Sequence, residues 1–282
     1  MTLPNPGDTP NPVPLAVVTG AGRGFGRAVA HALTATGTHV VGIARTAADL
    51  HSLRDELDAR RERDGHTGAF TPLPGDATDE HLAADVLTRH RPALLVLNAG
   101  ATPHLAPLHE HTWDTFSRAW DTDTRHVFTW TRAALRAPLA AGSRVVVISS
   151  GAALSGSPLS GGYAGAKATV RFTAAYAAAE AERAGLDLRF TTLFPHLAPG
   201  GGVGAAAIAG YAARHGQDAD TYTAGLQPVL TPERLAAAVL HAATDPTHTA
   251  GLREHLVTGA PDTPGTPDDL AGTGLRPLAR TA

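Results

Sequence analysis

The chain has 282 residues and no cysteine. Disulfides, thiolate nucleophiles and cysteine-ligated zinc or iron–sulfur centres are therefore excluded, and redox compartment is left open. Charge is sparse: 17% of residues are Asp, Glu, Lys or Arg, against about 25% in an average chain. The formal net charge is −3 and no long basic run occurs. That excludes a protein whose affinity comes from neutralising phosphates, so no nucleic-acid partner is expected. No stretch of about 18 apolar residues exists, so neither a transmembrane helix nor a membrane partner is expected. The opening MTLPNPGDTPNPVP has no basic n-region and no apolar h-region, so it does not read as a secretory signal. A cytoplasmic location is the default expectation.

Glycine (30) and proline (21) are plentiful, yet below the share that marks a low-complexity chain. The 43% of hydrophobic residues suffices for one core. Residues 1–14 carry prolines at 4, 6, 10, 12 and 14, and residues 261–282 are again rich in Pro and Gly. Both ends read as disordered tails around one domain at 15–260.

Within that domain apolar runs alternate with helical patterns. LAVVT (15–19), HVVGIAR (39–45), ALLVL (93–97), RVVVIS (144–149), DLRFTTLF (187–194) and EHLVTG (254–259) read as strands. AFTPL (69–73) reads as a weak strand, demoted by Pro72. Helices are expected over 27–37, 46–64, 78–90, 112–137, 163–185 and 231–243. Continuous apolar strands alternating with helices predict an α/β fold: a doubly wound parallel sheet of about seven strands, with helices on both faces. Ligands of such sheets lie beyond the strand C-termini.

The first strand runs into Thr19-Gly20-Ala21-Gly22-Arg23-Gly24-Phe25-Gly26. Glycines there let phosphates approach a helix N-terminus, whose free N–H groups and dipole favour anions. The spacing is G-x-x-x-G-x-G, from Gly20, Gly24 and Gly26. An NAD site usually ends its second strand in Asp or Glu, which accepts from the ribose 2′-OH. Here Arg45 stands at that strand end, and Arg23 adds a second cation. Two guanidiniums can clamp a 2′-phosphate bidentately, which predicts NADP(H).

The RVVVIS strand delivers Ser149 and Ser150 to the same sheet edge. Tyr163 and Lys167 follow at i and i+4 on one helix face, about 6 Å apart along the axis. An ammonium beside a phenol favours the phenolate, so the tyrosine can exchange a proton near neutral pH. A strand-end serine can hold a carbonyl or alkoxide oxygen.

With TGAGRGFG at 19–26, Asp76 in GDATD, LNAG at 97–100, ISS at 148–150 and YAGAK at 163–167, residues 14–260 resemble a classical short-chain dehydrogenase/reductase with a Rossmann-type fold. The resemblance implies Asp76 against the adenine and Asn98-Ala99-Gly100 along the ribose. It implies Ser150 as substrate-oxygen donor, Tyr163 as general acid/base, and Lys167 as ribose clamp and pKa tuner. The cofactor contacts it implies are Gly20, Arg23, Gly24, Phe25, Gly26, Arg45, Asp76, Ala77, Asn98, Ala99, Gly100, Tyr163, Lys167, Pro195, His196 and Leu197. A helix-bundle homodimer or homotetramer is expected on the same ground.

Two departures stand out. Asp123, in Asp121-Thr122-Asp123-Thr124-Arg125-His126-Val127-Phe128, occupies the place of the family's asparagine that anchors a water chain towards the lysine. An ionised carboxylate accepts but cannot donate, and it brings a charge near Lys167. Asp123 thus joins the catalytic candidates, unless it points elsewhere and only the water network differs. Second, the usual Pro-Gly after the sixth strand is Pro195-His196, and the threonine expected nearby is missing. His196 either donates into the substrate pocket or shields the cofactor. Residues 198–230 take the place of the family's variable substrate lid, with Tyr211, Tyr222 and Leu226 as its larger groups.

His109-Glu110-His111 superficially resembles a metal cluster but lacks a third ligand at helical spacing, so no metal is expected. Trp113, Phe116 and Trp120 fall on one helix face and are expected to pack in the core. The reading is an NADP(H)-dependent oxidoreductase interconverting a small-molecule ketone or aldehyde with its alcohol, of the biosynthetic ketoreductase kind. The rivals are a same-fold enzyme without net redox (an epimerase or dehydratase-like catalyst) and an NADPH-binding sensor or scaffold.

Overall fold

The computed structural model describes residues 14–137, 139–199, 202–259 and 275–278. In chain order it contains β1 (Leu15–Thr19), α1 (Gly24–Ala35), β2 (His39–Ala44), α2 (Ala47–Asp64), β3 (Ala69–Pro74), α3 (Glu80–His90) and β4 (Leu94–Leu97). Then follow α4 (Trp113–Ala119), α5 (Arg125–Arg136), β5 (Ser143–Ile148), α6 (Ala152–Ser155), α7 (Gly161–Arg183) and β6 (Leu188–Pro195). The last elements are α8 (Gly202–Arg214), α9 (Ala219–Ala224), α10 (Pro232–Thr244), β7 (Gly251–Val257) and β8 (Leu275–Pro277).

The strands form one sheet in the order β3-β2-β1-β4-β5-β6-β7-β8. The first seven are parallel, and β8 pairs antiparallel with β7. The chain winds outwards from β1 to β3, crosses back, and winds the other way from β4. The order therefore reverses between β1 and β4, where such a sheet opens its binding crevice. β1, β4 and β5 are buried on both faces because helices cover each side, which is why they carry the continuous apolar runs LAVV, LLVL and VVVI. On one face Leu33 of α1 and Leu235 and Val239 of α10 pack with Leu50 and Leu53 of α2 against Val18 and Val96. On the other, Leu87 of α3, Trp130 of α5 and Val170 and Ala174 of α7 pack against Leu95 and Val147. Each such side chain withdrawn from water contributes about 1.5–3 kcal/mol.

Local chemistry sets the helix ends. Asp79 caps α3 by accepting from the backbone N–H groups of His81 and Leu82. Thr231 caps α10, and Pro232 occupies its first turn. β3 is an edge strand, where the missing N–H of Pro72 costs least.

Several expectations are corrected. The single helix expected over 112–137 is broken by a π-helical turn, Trp120–Thr124, between α4 and α5. One inserted residue changes the phase of the helix there. Trp113 is 74% and Trp120 39% exposed, so the aromatic face does not pack wholly into the core. The segment 198–230, to which the sequence assigns no element, contains α8 and α9; its Ala/Gly composition hides a helical period. The last expected strand, 254–259, runs instead over Gly251–Val257. Leu275–Pro277 forms β8 where a tail was expected, because the outer edge of β7 offers unpaired backbone groups. The remainder of 261–282 and residues 1–13 lie outside the described residues. Among the described residues no helix is long and apolar enough to cross a membrane.

Candidate active site

The candidate side chains come from strand C-termini, from the π turn that carries Asp123 and from the start of α7, and all but Gly26 line one cleft of about 1000 Å3. β1 ends at Thr19 and turns through the glycine loop into α1. Gly26 faces the turn so closely that a Cβ on it would lie 2.1 Å from the carbonyl oxygen of Gly20. Only glycine lets the helix start there. Gly24 has φ +53° and opens onto space with no atom within 4 Å of a Cβ. α1 has no side-chain cap at its N-terminus and no acidic residue in its first turn. Its free N–H groups therefore face the cleft as an anion site.

Arg23 and Arg45 both line this end of the cleft. Neither is held in an ion pair among the described residues. Arg45 directly follows β2. Asp76, two residues beyond β3, accepts at Oδ1 from the backbone N–H and hydroxyl of Thr78, both at 2.9 Å. Those bonds, the backbone one first, hold its carboxyl below the usual aspartate range. The carbonyl of the adjacent Ala77 is fixed by the indole N–H of buried Trp130 at 2.8 Å.

Asn98 follows β4, and its Nδ2 donates to the carbonyls of Thr19 (3.1 Å) and Gly20 (3.3 Å). The Thr19 hydroxyl accepts from the backbone N–H groups of Asn98 (2.9 Å) and Ala99 (3.2 Å). The glycine loop and the Asn98-Ala99-Gly100 segment are thus tied to each other across the switch point. His126 completes this knot, with Nε2 3.0 Å from Thr19 Oγ1. Burial, reinforced by the charge of Lys167, pushes its imidazole down to about 3, so it is neutral. Sequence reasoning gave His126 no role. The only signal was a histidine one turn past Asp123 on an otherwise core-facing helix.

β5 delivers Ser149 and Ser150. The hydroxyl of Ser149 donates to the carbonyl of Lys167 at 2.9 Å, which ties the strand end to α7. Ser150 Oγ accepts from the backbone N–H of Ala152 at 3.2 Å, which leaves its own proton to donate into the cleft. Tyr163 and Lys167 share a face of α7, and Nζ lies 5.7 Å from the centre of the Tyr163 ring. Nζ also donates to the carbonyl of Ile148 at 3.1 Å and lies 3.0 Å from Asp123 Oδ2. Asp123 Oδ1 accepts from the backbone N–H of Ala101 at 2.7 Å. Burial opposes the Lys167 charge, but Asp123 outweighs it with help from Tyr163, so the ammonium is held above the ordinary lysine range. Asp123 does point at the lysine, and the π turn presents it there.

Pro195 ends β6, and His196 and Leu197 follow along the cleft wall. The backbone N–H of His196 donates to the carbonyl of Val257 at 2.9 Å, and that of Gly151 to Pro195 at 2.9 Å. Tyr211, His215 and Tyr222 reach the same cleft from α8 and α9. Leu226 does not line it. His111 is engaged with the carbonyl of Ala106 and the hydroxyl of Thr115, each at 3.1 Å.

The chain is similar to known proteins over most of this framework. It is 33% identical to the L-xylulose reductase of Homo sapiens over 126 residues, which are 45% of this chain and 48% of that protein. The chain spans about half the length of the L-xylulose reductases it matches, the Mesocricetus auratus protein included, at 32% identity over 50% of its length. It is 28% identical to an NADP-dependent 3-hydroxy acid dehydrogenase of Salmonella typhi over 83% of this chain and 90% of that one. Its fold matches the crystal structure of a putative NAD(P)-dependent gluconate 5-dehydrogenase from Beutenbergia cavernae, with bound NADP at low occupancy. The TM-score is 0.72 and the identity 27%, covering 90% of this chain and 98% of that one. The short chain dehydrogenase model matches residues 14–196, the stretch from β1 to the end of β6 that carries every strand-end group described above, and the chain belongs to that family.

Proposed function

We propose that the chain is an NADP(H)-dependent oxidoreductase that interconverts a small-molecule ketone or aldehyde with its alcohol, as a cytoplasmic ketoreductase. The observation that carries this reading is the convergence of Ser150, Tyr163 and Lys167 on the cleft whose other end is an uncapped helix N-terminus flanked by two arginines. The residues present suit a phosphorylated dinucleotide. Free N–H groups of α1 would hold the pyrophosphate, and Arg23 and Arg45 a 2′-phosphate. The cofactors of the relatives point the same way: NADP in the hydroxy acid dehydrogenase and in the Beutenbergia structure.

When bound, the reduced nicotinamide supplies a hydride to the substrate carbon. Ser150 holds the carbonyl oxygen with its free hydroxyl proton. Tyr163 gives that oxygen a proton as negative charge develops on it. Lys167 supports the charge left on the phenol, and Asp123 holds Lys167 in place. Asn98 and His126 keep the two loops around the cofactor in register. In the alcohol-to-carbonyl direction the same groups take the proton back.

The test is NADPH consumption, followed at the nicotinamide band, with a panel of ketones and aldehydes and identification of the alcohol formed. Consumption matched by alcohol supports the reading. A second reading, an epimerase or dehydratase-like enzyme, draws on the Asp123–Lys167 pair, which the family's asparagine would not form. It requires product to form without net change in NADPH.

A further inference from the structure

The far half of the cleft, beyond Ser150 and Tyr163, is closed by α8 and α9, which stack their rings. The Tyr211 ring lies 6.4 Å from that of Tyr222 with 26° between planes, and His215 lies 5.8 Å from Tyr222 at 20°. All three rings line the cleft that Tyr163 lines. Leu105, Ala152 and Ala207 continue this wall in apolar surface. The charged groups of the cleft, Arg23, Arg45, Asp49, Asp76, Asp121, Asp123 and Lys167, come from the loops and helices of the other half. Among its lining residues in 152–160, α8 and α9, none is Asp, Glu, Lys or Arg.

Four of the five hydroxyls of this half, those of Ser155, Ser157, Ser160 and Tyr211, are already engaged, and that of Tyr222 has no partner among the described residues. Tyr211 is hydrogen-bonded to Ser157, whose Oγ lies 2.6 Å from that of Ser160. Ser155 donates to the carbonyl of Gly151 at 3.3 Å. Burial, and then the neighbouring Tyr211, hold the Tyr222 phenol above its ordinary range, so it stays neutral.

Each substrate class meets this surface differently. A carboxylate or phosphate entering here loses hydration and finds no lysine or arginine among the residues lining this half. A polyhydroxy ketone must desolvate several hydroxyls and finds that of Tyr222 as the one hydroxyl of this half not already bonded, which costs affinity. A flat apolar body exchanges water for ring contact at no polar cost.

We infer that the Tyr211–Tyr222–His215 stack is a specificity wall that selects an uncharged carbonyl compound with an aromatic or fused-ring body. This rests on the oxidoreductase reading and narrows it. Tyr211 and Tyr222 are the specificity-determining residues, and the Tyr211–Ser157 bond fixes the wall to the loop that leads into the helix carrying Tyr163.

The experiment compares kcat/KM for 2-tetralone, erythrulose, acetoacetate and the small diketone butane-2,3-dione, with NADPH, in the wild type, Tyr222→Ala and Tyr222→Phe. The expected result is at least a tenfold preference for 2-tetralone over erythrulose and acetoacetate. Tyr222→Ala lowers kcat/KM for 2-tetralone at least tenfold more than for butane-2,3-dione, and Tyr222→Phe keeps the preference. Where Tyr222→Ala fails to fold, Tyr222→Leu is read in its place. Equal or better use of erythrulose or acetoacetate overturns the inference, as does a loss in Tyr222→Ala that is the same for all carbonyls. If no carbonyl consumes NADPH, the oxidoreductase reading fails separately. Calorimetric binding of 2-tetralone and erythrulose to the NADPH-loaded protein then decides the wall. Tighter 2-tetralone binding that weakens in Tyr222→Ala supports it, and equal or absent binding overturns it.

Discussion

The ammonium of Lys167 lies 3.0 Å from Oδ2 of Asp123, with the two side chains 7% and 1% exposed. A carboxylate this close balances the charge that would otherwise act on Tyr163. Replacing it with a neutral amide frees that charge to favour the phenolate. Asp123→Asn is therefore expected to move the rising limb of the pH–rate profile for alcohol oxidation to lower pH. An unchanged profile removes Asp123 from the proton relay. Asp123→Ala leaves a buried charge without a partner and costs on the order of 3–5 kcal/mol of stability, read as a drop in urea midpoint.

Arg45 and Arg23 make the cofactor preference testable separately from catalysis. Arg45→Ala removes one arm of the proposed 2′-phosphate clamp and is expected to weaken NADPH binding about tenfold or more while changing NADH binding little. Fluorescence titration with both cofactors reads it. Equal losses for NADPH and NADH assign Arg45 to the surface instead.

Buried histidines set an acid limit on stability. His126 is pushed down to about 3 by burial and then by Lys167, and His255 to about 4 by burial and then by Arg253. An unfolded histidine titrates near about 6.5. The native state therefore prefers the neutral rings, so their contribution is complete above that pH. Below it the unfolded chain binds more protons, and stability falls as pH drops towards the folded values. Each histidine contributes a slope of about 1.4 kcal/mol per pH unit in that window. Urea unfolding at pH 7, 6 and 5 measures it. His255→Gln is expected to flatten the slope by about one proton, and an unaltered slope contradicts this.

Phe128 of α5 and Phe172 and Tyr176 of α7 are 49%, 58% and 71% exposed on two helices that pack side by side. An apolar patch of this kind is what a self-association surface presents. Light scattering is expected to give a homodimer or homotetramer, and Phe172→Glu to shift it towards monomer. A monomeric wild type refutes the assignment.

The parallel strands were legible because a strand buried on both faces is apolar along most of its length, as LLVL and the VVVI of β5 are. The site was legible for the same reason. Gly20, Arg45, Asp76, Asn98 and Ser150 all stand at or just past strand ends, and the crevice of a doubly wound sheet lies there. What depended on a shift of phase or on a tertiary contact was not legible. The π turn that aims Asp123 at Lys167 adds a residue without altering composition. The bond from His126 to Thr19 joins residues far apart in sequence. The Ala/Gly run before Tyr211 has no apolar period to announce α8, so the ring stack with Tyr222 could not be foreseen.

The most direct test of the account compares wild type with Tyr163→Phe after NADPH affinity has been measured for both. The account predicts similar NADPH binding and a fall of about 10²–10⁴-fold in NADPH consumption with a turned-over carbonyl in the variant. Consumption that survives the loss of the Tyr163 hydroxyl contradicts it.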